Sequence, residues 1–239
     1  MAKIDKSLYS KSEWKKIREQ RRRSKKIKPP PAPTIQTETG RKPRALTGFV
    51  LGNGVSRQNL DPKLLKQYGT VYGCNALYRE FAPDYLIAVD VKMILEISKT
   101  GYQNQHAVWT NPNKSFAKIS NLNFFQPSKG WSSGPTALHL ACIHKLETIF
   151  ILGFDYKGLE DGKKVNNIYA NTKNYKKSSD GATYYGNWLK QTKKIIHDNP
   201  SIQFTRVITA DNYCPEELNR FDNFKTIRRE DFEKIFNLK

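Results

Sequence analysis

The first continuous apolar run in the chain, Leu46-Thr47-Gly48-Phe49-Val50-Leu51, stops at Gly52. A short run of this kind, with no polar alternation, predicts a strand buried on both faces. Residues 70–74, 84–89, 106–110, 147–152 and 203–208 have the same character. Helical patterns fall between them. Pro62 suits the first turn of a helix through about Tyr68. Gly134-Pro135 opens a second helix through Lys145, apolar at Leu138, Leu140, Ala141 and Ile143, with Ser132 or Ser133 as its cap. Residues 184–198 read as an amphipathic helix, and 230–236 as a last one. Strands alternating with helices predict βαβ units: an α/β fold with a mostly parallel sheet flanked by helices.

In such sheets ligands bind in the crevice outside the carboxyl ends of the strands. Four polar signals fall at those ends: Gly52-Asn53-Gly54, Asn75, Asp90 and Asp155. Gly52-Asn53-Gly54-Val55-Ser56 lets backbone approach a phosphate, because glycine has no Cβ and the amides that follow can point at an anion. The same residues also make a tight strand-to-helix turn. No GxGxxG or GK[ST] pattern accompanies them. Asn75 suits a base or ribose edge, and Asp90 a ribose hydroxyl, a metal or an acceptor hydroxyl; both are also ordinary turn residues. Ser133 and Gly134 open a helix whose free amides and partial positive charge suit a phosphate, or simply a capped N-terminus.

Beyond Asp155 a long connection runs from about Tyr156 to Ala182. Its stretch Tyr169-Ala170-Asn171-Thr172-Lys173-Asn174-Tyr175-Lys176-Lys177 is polar, aromatic and basic. It suits a lid that stacks on sugars or bases, or a flexible basic insert. His139 and His144 sit among apolar helix neighbours as core residues do. There is no Ser/His/Asp arrangement and no metal-ligand spacing, so no metal site is assigned.

Charge changes the picture at the N-terminus. The 239 residues carry 41 Lys and Arg against 22 Asp and Glu, a net charge of +19. Residues 1–45 alone hold 15 basic and 4 acidic side chains, a net of +11. Arg21, Arg22, Arg23, Lys25, Lys26 and Lys28 form its densest run, and Pro29-Pro30-Pro31-Ala32-Pro33 follows as an extended spacer. Leu8, Trp14 and Ile17 are too few to anchor a core. The expectation is a disordered basic arm over 1–45 and one nucleotide-binding domain over 46–239. The arm suits nucleic acid or another polyanion through phosphate contacts, or an acidic protein partner. No run of about 18 apolar residues spans a membrane. The absence of an apolar leader and the three scattered cysteines, Cys74, Cys142 and Cys214, point to the cytoplasm.

Phe49-Val50-Leu51-Gly52-Asn53-Gly54-Val55-Ser56 resembles the opening of the sialyltransferase-like glycosyltransferases and their Rossmann-type relatives, the motility accessory factors and the pterin diphosphokinase-like proteins. Gly73-Cys74-Asn75-Ala76-Leu77-Tyr78 is similar to the segment of bacterial sialyltransferases whose Asn contacts the nucleotide. Ser132-Ser133-Gly134, an apolar helix, and Ile149-Phe150-Ile151-Leu152-Gly153-Phe154-Asp155-Tyr156 resemble a further block of the same group. The likeness covers about residues 47–157. It implies a Rossmann-like fold and a nucleotide site at Gly52, Asn53, Gly54, Ser56, Asn75, Ser133, Gly134 and Tyr156, with Tyr156 at the leaving phosphate. Thr183-Tyr184-Tyr185-Gly186-Asn187-Trp188 stands where those sialyltransferases place a catalytic His, and contains none. Sugar transfer then needs another base: Asp90, Asp155 or His139.

The leading expectation is a glycosyltransferase that uses a CMP- or UDP-linked sugar, with or without a divalent metal. Its acceptor would be a polyanion such as DNA, in the manner of bacteriophage base glycosylation. The alternatives are a pterin-type diphosphokinase and a nucleic-acid-binding protein with a non-catalytic Rossmann-like body.

Overall fold

The computed structural model describes residues 46–238. The arm expected over 1–45, with its basic run Arg21–Arg23, Lys25, Lys26 and Lys28, lies outside the described residues. Eight strands form one sheet: β1 Thr47–Leu51, β2 Thr70–Cys74, β3 Tyr85–Ile87, β4 Val108–Thr110, β5 Leu122–Phe124, β6 Thr148–Leu152, β7 Gln203–Ile208 and β8 Phe224–Arg228. Their spatial order is β5-β4-β3-β2-β1-β6-β7-β8, and every neighbouring pair is parallel. The chain starts at the centre, winds outward through β5, then returns beside β1 as β6 and winds the other way. This is a doubly wound, Rossmann-like α/β sheet, and its order reverses between β1 and β6.

Four helices flank it: α1 Val91–Thr100, α2 Ser133–Ile143, α3 Gly186–Asp198 and α4 Arg229–Ile235. The uninterrupted apolar runs follow from burial on both faces. In β1, Val50 packs on one side with Leu138, Ala141 and Ile195 from α2 and α3. Phe49 and Leu51 pack on the other with Met93, Ile94 and Phe232 from α1 and α4.

Six elements differ from expectation. The segment after Pro62 is a 3-10 helix over Pro62–Gln67, capped by the Asp61 carboxylate on the Lys63 amide at 3.0 Å. Gly69 follows almost at once, which leaves no room for longer α-helical propagation. Helix α1 and the edge strands β5 and β8 are additional to it. The third and fourth strands are shorter than their apolar runs, so His106 precedes β4 and stacks on Tyr102 instead. No described helix is long and apolar enough to cross a membrane.

Two histidines of α2's end of the core resist protonation. Burial pushes the His139 imidazole down to about 4, with Lys129 adding to it, and burial also lowers His144. The unfolded chain takes up these protons near pH 6.5. The folded state therefore binds fewer protons between those values, and its stability is full above pH 6.5 and lost as pH falls toward 4. Thermal melts across that window should show Tm falling with pH, and His139→Gln should flatten part of the slope. An unchanged slope in the variant would remove His139 from this effect.

Candidate functional site

The carboxyl ends of β1, β2, β3 and β6 open onto a cavity of about 570 Å³. It lies at the reversal between β1 and β6, where the two crossovers leave in opposite directions and open a crevice. Gly52, Asn53 and Gly54 line it from β1, Asn75 from β2, Asp90 from β3, and Asp155 and Tyr156 from β6. The first turn of α2 adds Ser132, Ser133 and Gly134. Trp131, Phe154, Tyr175, Tyr185 and Trp188 supply aromatic walls; Lys157 and Lys176 supply positive charge.

Contrary to expectation, most amides of the Gly-Asn-Gly loop and the two residues after it are engaged within the protein; among the described residues only Asn53 N of the five has no such partner. Gly52 N donates to Leu152 O at 2.8 Å, and Gly54 N to Gly153 O at 2.9 Å. Val55 N donates to Asn166 Oδ1 at 2.8 Å, and Ser56 N to Asp155 Oδ2 at 3.1 Å. These acceptors belong to the protein itself, so the loop is pinned to the β6 crossover. The glycines serve that close approach. A Cβ on Gly52 would stand 2.5 Å from Gly153 O, and one on Gly54 would stand 2.5 Å from the Asp155 carboxylate.

Arg57 props the loop from beneath. It is buried, and donates from Nε to Gly52 O at 2.8 Å and from Nη2 to the Tyr169 hydroxyl at 3.2 Å. Ser56 does not line the cavity; its hydroxyl also donates to Asp155. Asp155, buried, thus holds the loop with both oxygens. That geometry suits a fastening more than a free base.

Asn75, Ser133 and Val89 form a second junction. The Ser133 hydroxyl donates to Asn75 Oδ1 at 2.8 Å and accepts from Val89 N at 3.2 Å. One hydroxyl therefore ties the ends of β2 and β3 to α2. Ser133 is spent on this tie rather than on capping, and no side-chain cap covers α2's first amides. Asn75 and Tyr156 both have positive φ, at 53° each. Asn tolerates that region; for an aromatic residue it is uncommon and marks a strand end held by its surroundings. The Tyr156 hydroxyl donates to Thr192 Oγ1 at 3.0 Å, and burial pushes its pKa up to about 12.

Asp90 stands apart. It precedes α1, is exposed, lines the cavity, and makes no side-chain hydrogen bond or salt bridge among the described residues. His139, the third candidate base, does not line the cavity; it packs edge-on to Trp131. Asn53 donates from Nδ2 to the Tyr175 hydroxyl at 3.3 Å, while its buried Oδ1 has no partner among the described residues.

The long connection after Asp155 is anchored across the strand ends. The Tyr175 hydroxyl accepts from Asn53 and from Ala76 N, and Ile168 N donates to Asn53 O. Arg79 donates to Thr172 Oγ1 and Lys173 O, and Asn174 donates to Glu96 at 2.6 Å. Burial raises the Glu96 pKa, but hydrogen bonds from Tyr78 and Arg79 outweigh it and hold the carboxyl below the usual range. The connection is thus a wall of the site. Lys157, Asn166 and Asn167 also line the cavity and were absent from the sequence-based candidates. The polar run around Asn166 and Asn167 was the only signal for them.

Among the described residues, no group of three or more His, Cys, Asp or Glu is placed to hold a metal ion. Comparison with protein-family models, with curated proteins and with solved structures returns no match.

Proposed function

We propose that the cavity binds a nucleotide sugar, CMP- or UDP-linked, and that the protein transfers the sugar to an acceptor hydroxyl. The observation that carries this reading is Asp90: an unengaged carboxylate at a strand end, in a cavity otherwise walled by aromatic rings and amide side chains. Rings stack on bases and sugar faces, and amides read their hydroxyls and base edges. In the transfer, Asp90 accepts the proton of the acceptor hydroxyl. That oxygen forms a bond to the anomeric carbon as the bond from this carbon to the phosphate oxygen breaks. The phosphate leaves with the electron pair. Lys157, Lys176 and the uncapped first turn of α2 are the groups available to receive its charge.

The Gly-Asn-Gly loop acts in this reading as scaffold rather than as phosphate cradle. A diphosphokinase has to hold a triphosphate with Mg²⁺, and a loop with four of its five amides already engaged supports it less. The basic arm extends the proposal to a polyanionic acceptor such as DNA, by phosphate neutralisation.

A thermal-shift screen with CMP, UDP, their sugars and ATP tests the binding half, since a ligand of the folded state raises Tm. Trp188→Ala should weaken the best nucleotide by about 5- to 100-fold, the range expected for loss of one base-stacking ring. No shift with any nucleotide would overturn the proposal.

A further inference from the structure

Arg206 on β7 is 1% exposed. A guanidinium stays protonated at every physiological pH, so its charge is buried with it. Its Nη1 donates to Tyr213 O at 2.9 Å. Its Nε and Nη2 are buried and have no hydrogen-bond partner among the described residues. No described carboxylate forms a salt bridge with it. Arg57 is the contrast: equally buried, it spends the same two donors on Gly52 O and the Tyr169 hydroxyl.

The two idle donors are adjacent. Nε–H and Nη2–H lie along one edge of the guanidinium plane, and that edge matches two oxygens of a carboxylate or phosphate. The surroundings point the same way. The guanidinium carbon lies 5.1 Å from the centre of the Tyr156 ring, and Tyr156 lines the cavity. The ammonium of Lys157, another lining residue, lies 5.9 Å from the Tyr213 ring. Two cations thus flank the segment 209–214, whose Tyr213 is 41% exposed while its carbonyl caps Arg206.

We infer that Arg206 binds an oxyanion, the carboxylate or phosphate group of a small ligand, through Nε and Nη2 side by side. Arg206 does not line the strand-end cavity, so entry has to displace neighbouring structure, and the largely exposed 209–214 segment that touches Nη1 is the part placed to move. The bound anion supplies the counter-charge that the fold itself withholds. Burying an unpaired charge is costly, and structural arginines of this depth are ordinarily paired. This inference is independent of sugar transfer and stands or falls without it.

The test uses the full chain. Tm is followed as chloride is exchanged for inorganic phosphate or for acetate at constant ionic strength. The wild type should show a saturable rise with at least one oxyanion, because two oxygens match the two parallel N–H donors better than a single chloride does. Arg206→Met keeps the volume and removes the charge; Arg206→Lys keeps the charge and removes the edge. Both should weaken the oxyanion by about tenfold or more, the size of one or two charge-assisted hydrogen bonds. Hydrogen exchange of 209–214 in the wild type should slow in the stabilising oxyanion, which decides the matter if neither variant folds. Equal shifts in wild type and variants, no shift in the wild type, or exchange insensitive to both oxyanions would each overturn the inference. They would leave the Arg206 charge held by the Tyr213 carbonyl and the Tyr156 ring face alone.

Discussion

Replacing Gly54 by Ala is expected to lower Tm by roughly 6–12 °C. That range follows from about 3 kcal/mol of lost stability at about 2–4 °C per kcal/mol for a chain of this size. Gly54 has φ −64° and ψ 151°, a region open to any residue. Backbone strain is therefore not the obstacle. The obstacle is the Asp155 carboxylate, 2.5 Å from where the new methyl would sit. Asp155 cannot retreat without releasing the Ser56 amide and hydroxyl. Hydrogen bonds to a charged group are worth about 1.5–3 kcal/mol, and overpacking costs about 1–3 kcal/mol more.

A double-mutant cycle isolates this cause. Asp155→Ala already gives up the Ser56 bonds and also makes room for the methyl. Adding Gly54→Ala to it should then cost little, a coupling on the order of 1–3 kcal/mol between the two positions. Chemical or thermal unfolding followed by circular dichroism measures each corner of the cycle. If Gly54→Ala folds as stably as wild type yet loses nucleotide affinity, the glycine serves a ligand's approach and not the carboxylate.

The contrast between these two roles for one glycine shows what the sequence can and cannot carry. The strand ends were legible, because apolar runs such as Phe49–Leu51 and Ile149–Leu152 stop at residues that cannot continue a buried strand. Parallel topology then gathers those ends at one edge, which brings Asn53, Asn75, Asp90 and Asp155 to a common cavity. Loop geometry was not legible. The acceptors that engage the Val55 and Ser56 amides come from Asn166 and Asp155, residues 111 and 99 positions away. A Gly-Asn-Gly loop whose amides face an anion and one whose amides face its own protein share the same local sequence.

Two omissions have different causes. Helix α1 had a readable signal: Met93, Ile94 and Ile97 are its buried positions, Asp90 precedes it and Gly101 ends it with φ 70°. The apolar strand before it drew attention to Asp90 as a strand end and away from its second role as a helix start. Strands β5 and β8 had little signal. The first is three residues long, and the second has Lys225 and Arg228 on either side of Thr226-Ile227 at the sheet edge. Edge strands use charge against further pairing, and that removes the apolar run by which a strand is read.

Under the proposed sugar transfer, Asp90→Asn is expected to reduce turnover of the donor sugar by about 10²- to 10⁴-fold, the usual contribution of a positioned general base. The substitution is informative because little else should change. Asp90 is the residue before α1, and Asn serves that position as well as Asp does. Its side chain makes no capping bond there in any case, so stability should hold. The amide keeps the shape and hydrogen-bonding reach of the carboxylate and loses only its basicity. Nucleotide affinity, read by thermal shift, should therefore stay near the wild-type value while single-turnover transfer slows. Equal loss of affinity and rate would make Asp90 a contact to the nucleotide, with the base elsewhere. Unchanged turnover would remove Asp90 from the chemistry, and Asp155, fastened to Ser56, would be left as the only other carboxylate among the cavity-lining residues. If neither protein consumes a CMP- or UDP-linked sugar while both bind DNA or RNA, transfer is not the function. The Rossmann-like body then serves a nucleic-acid-binding protein.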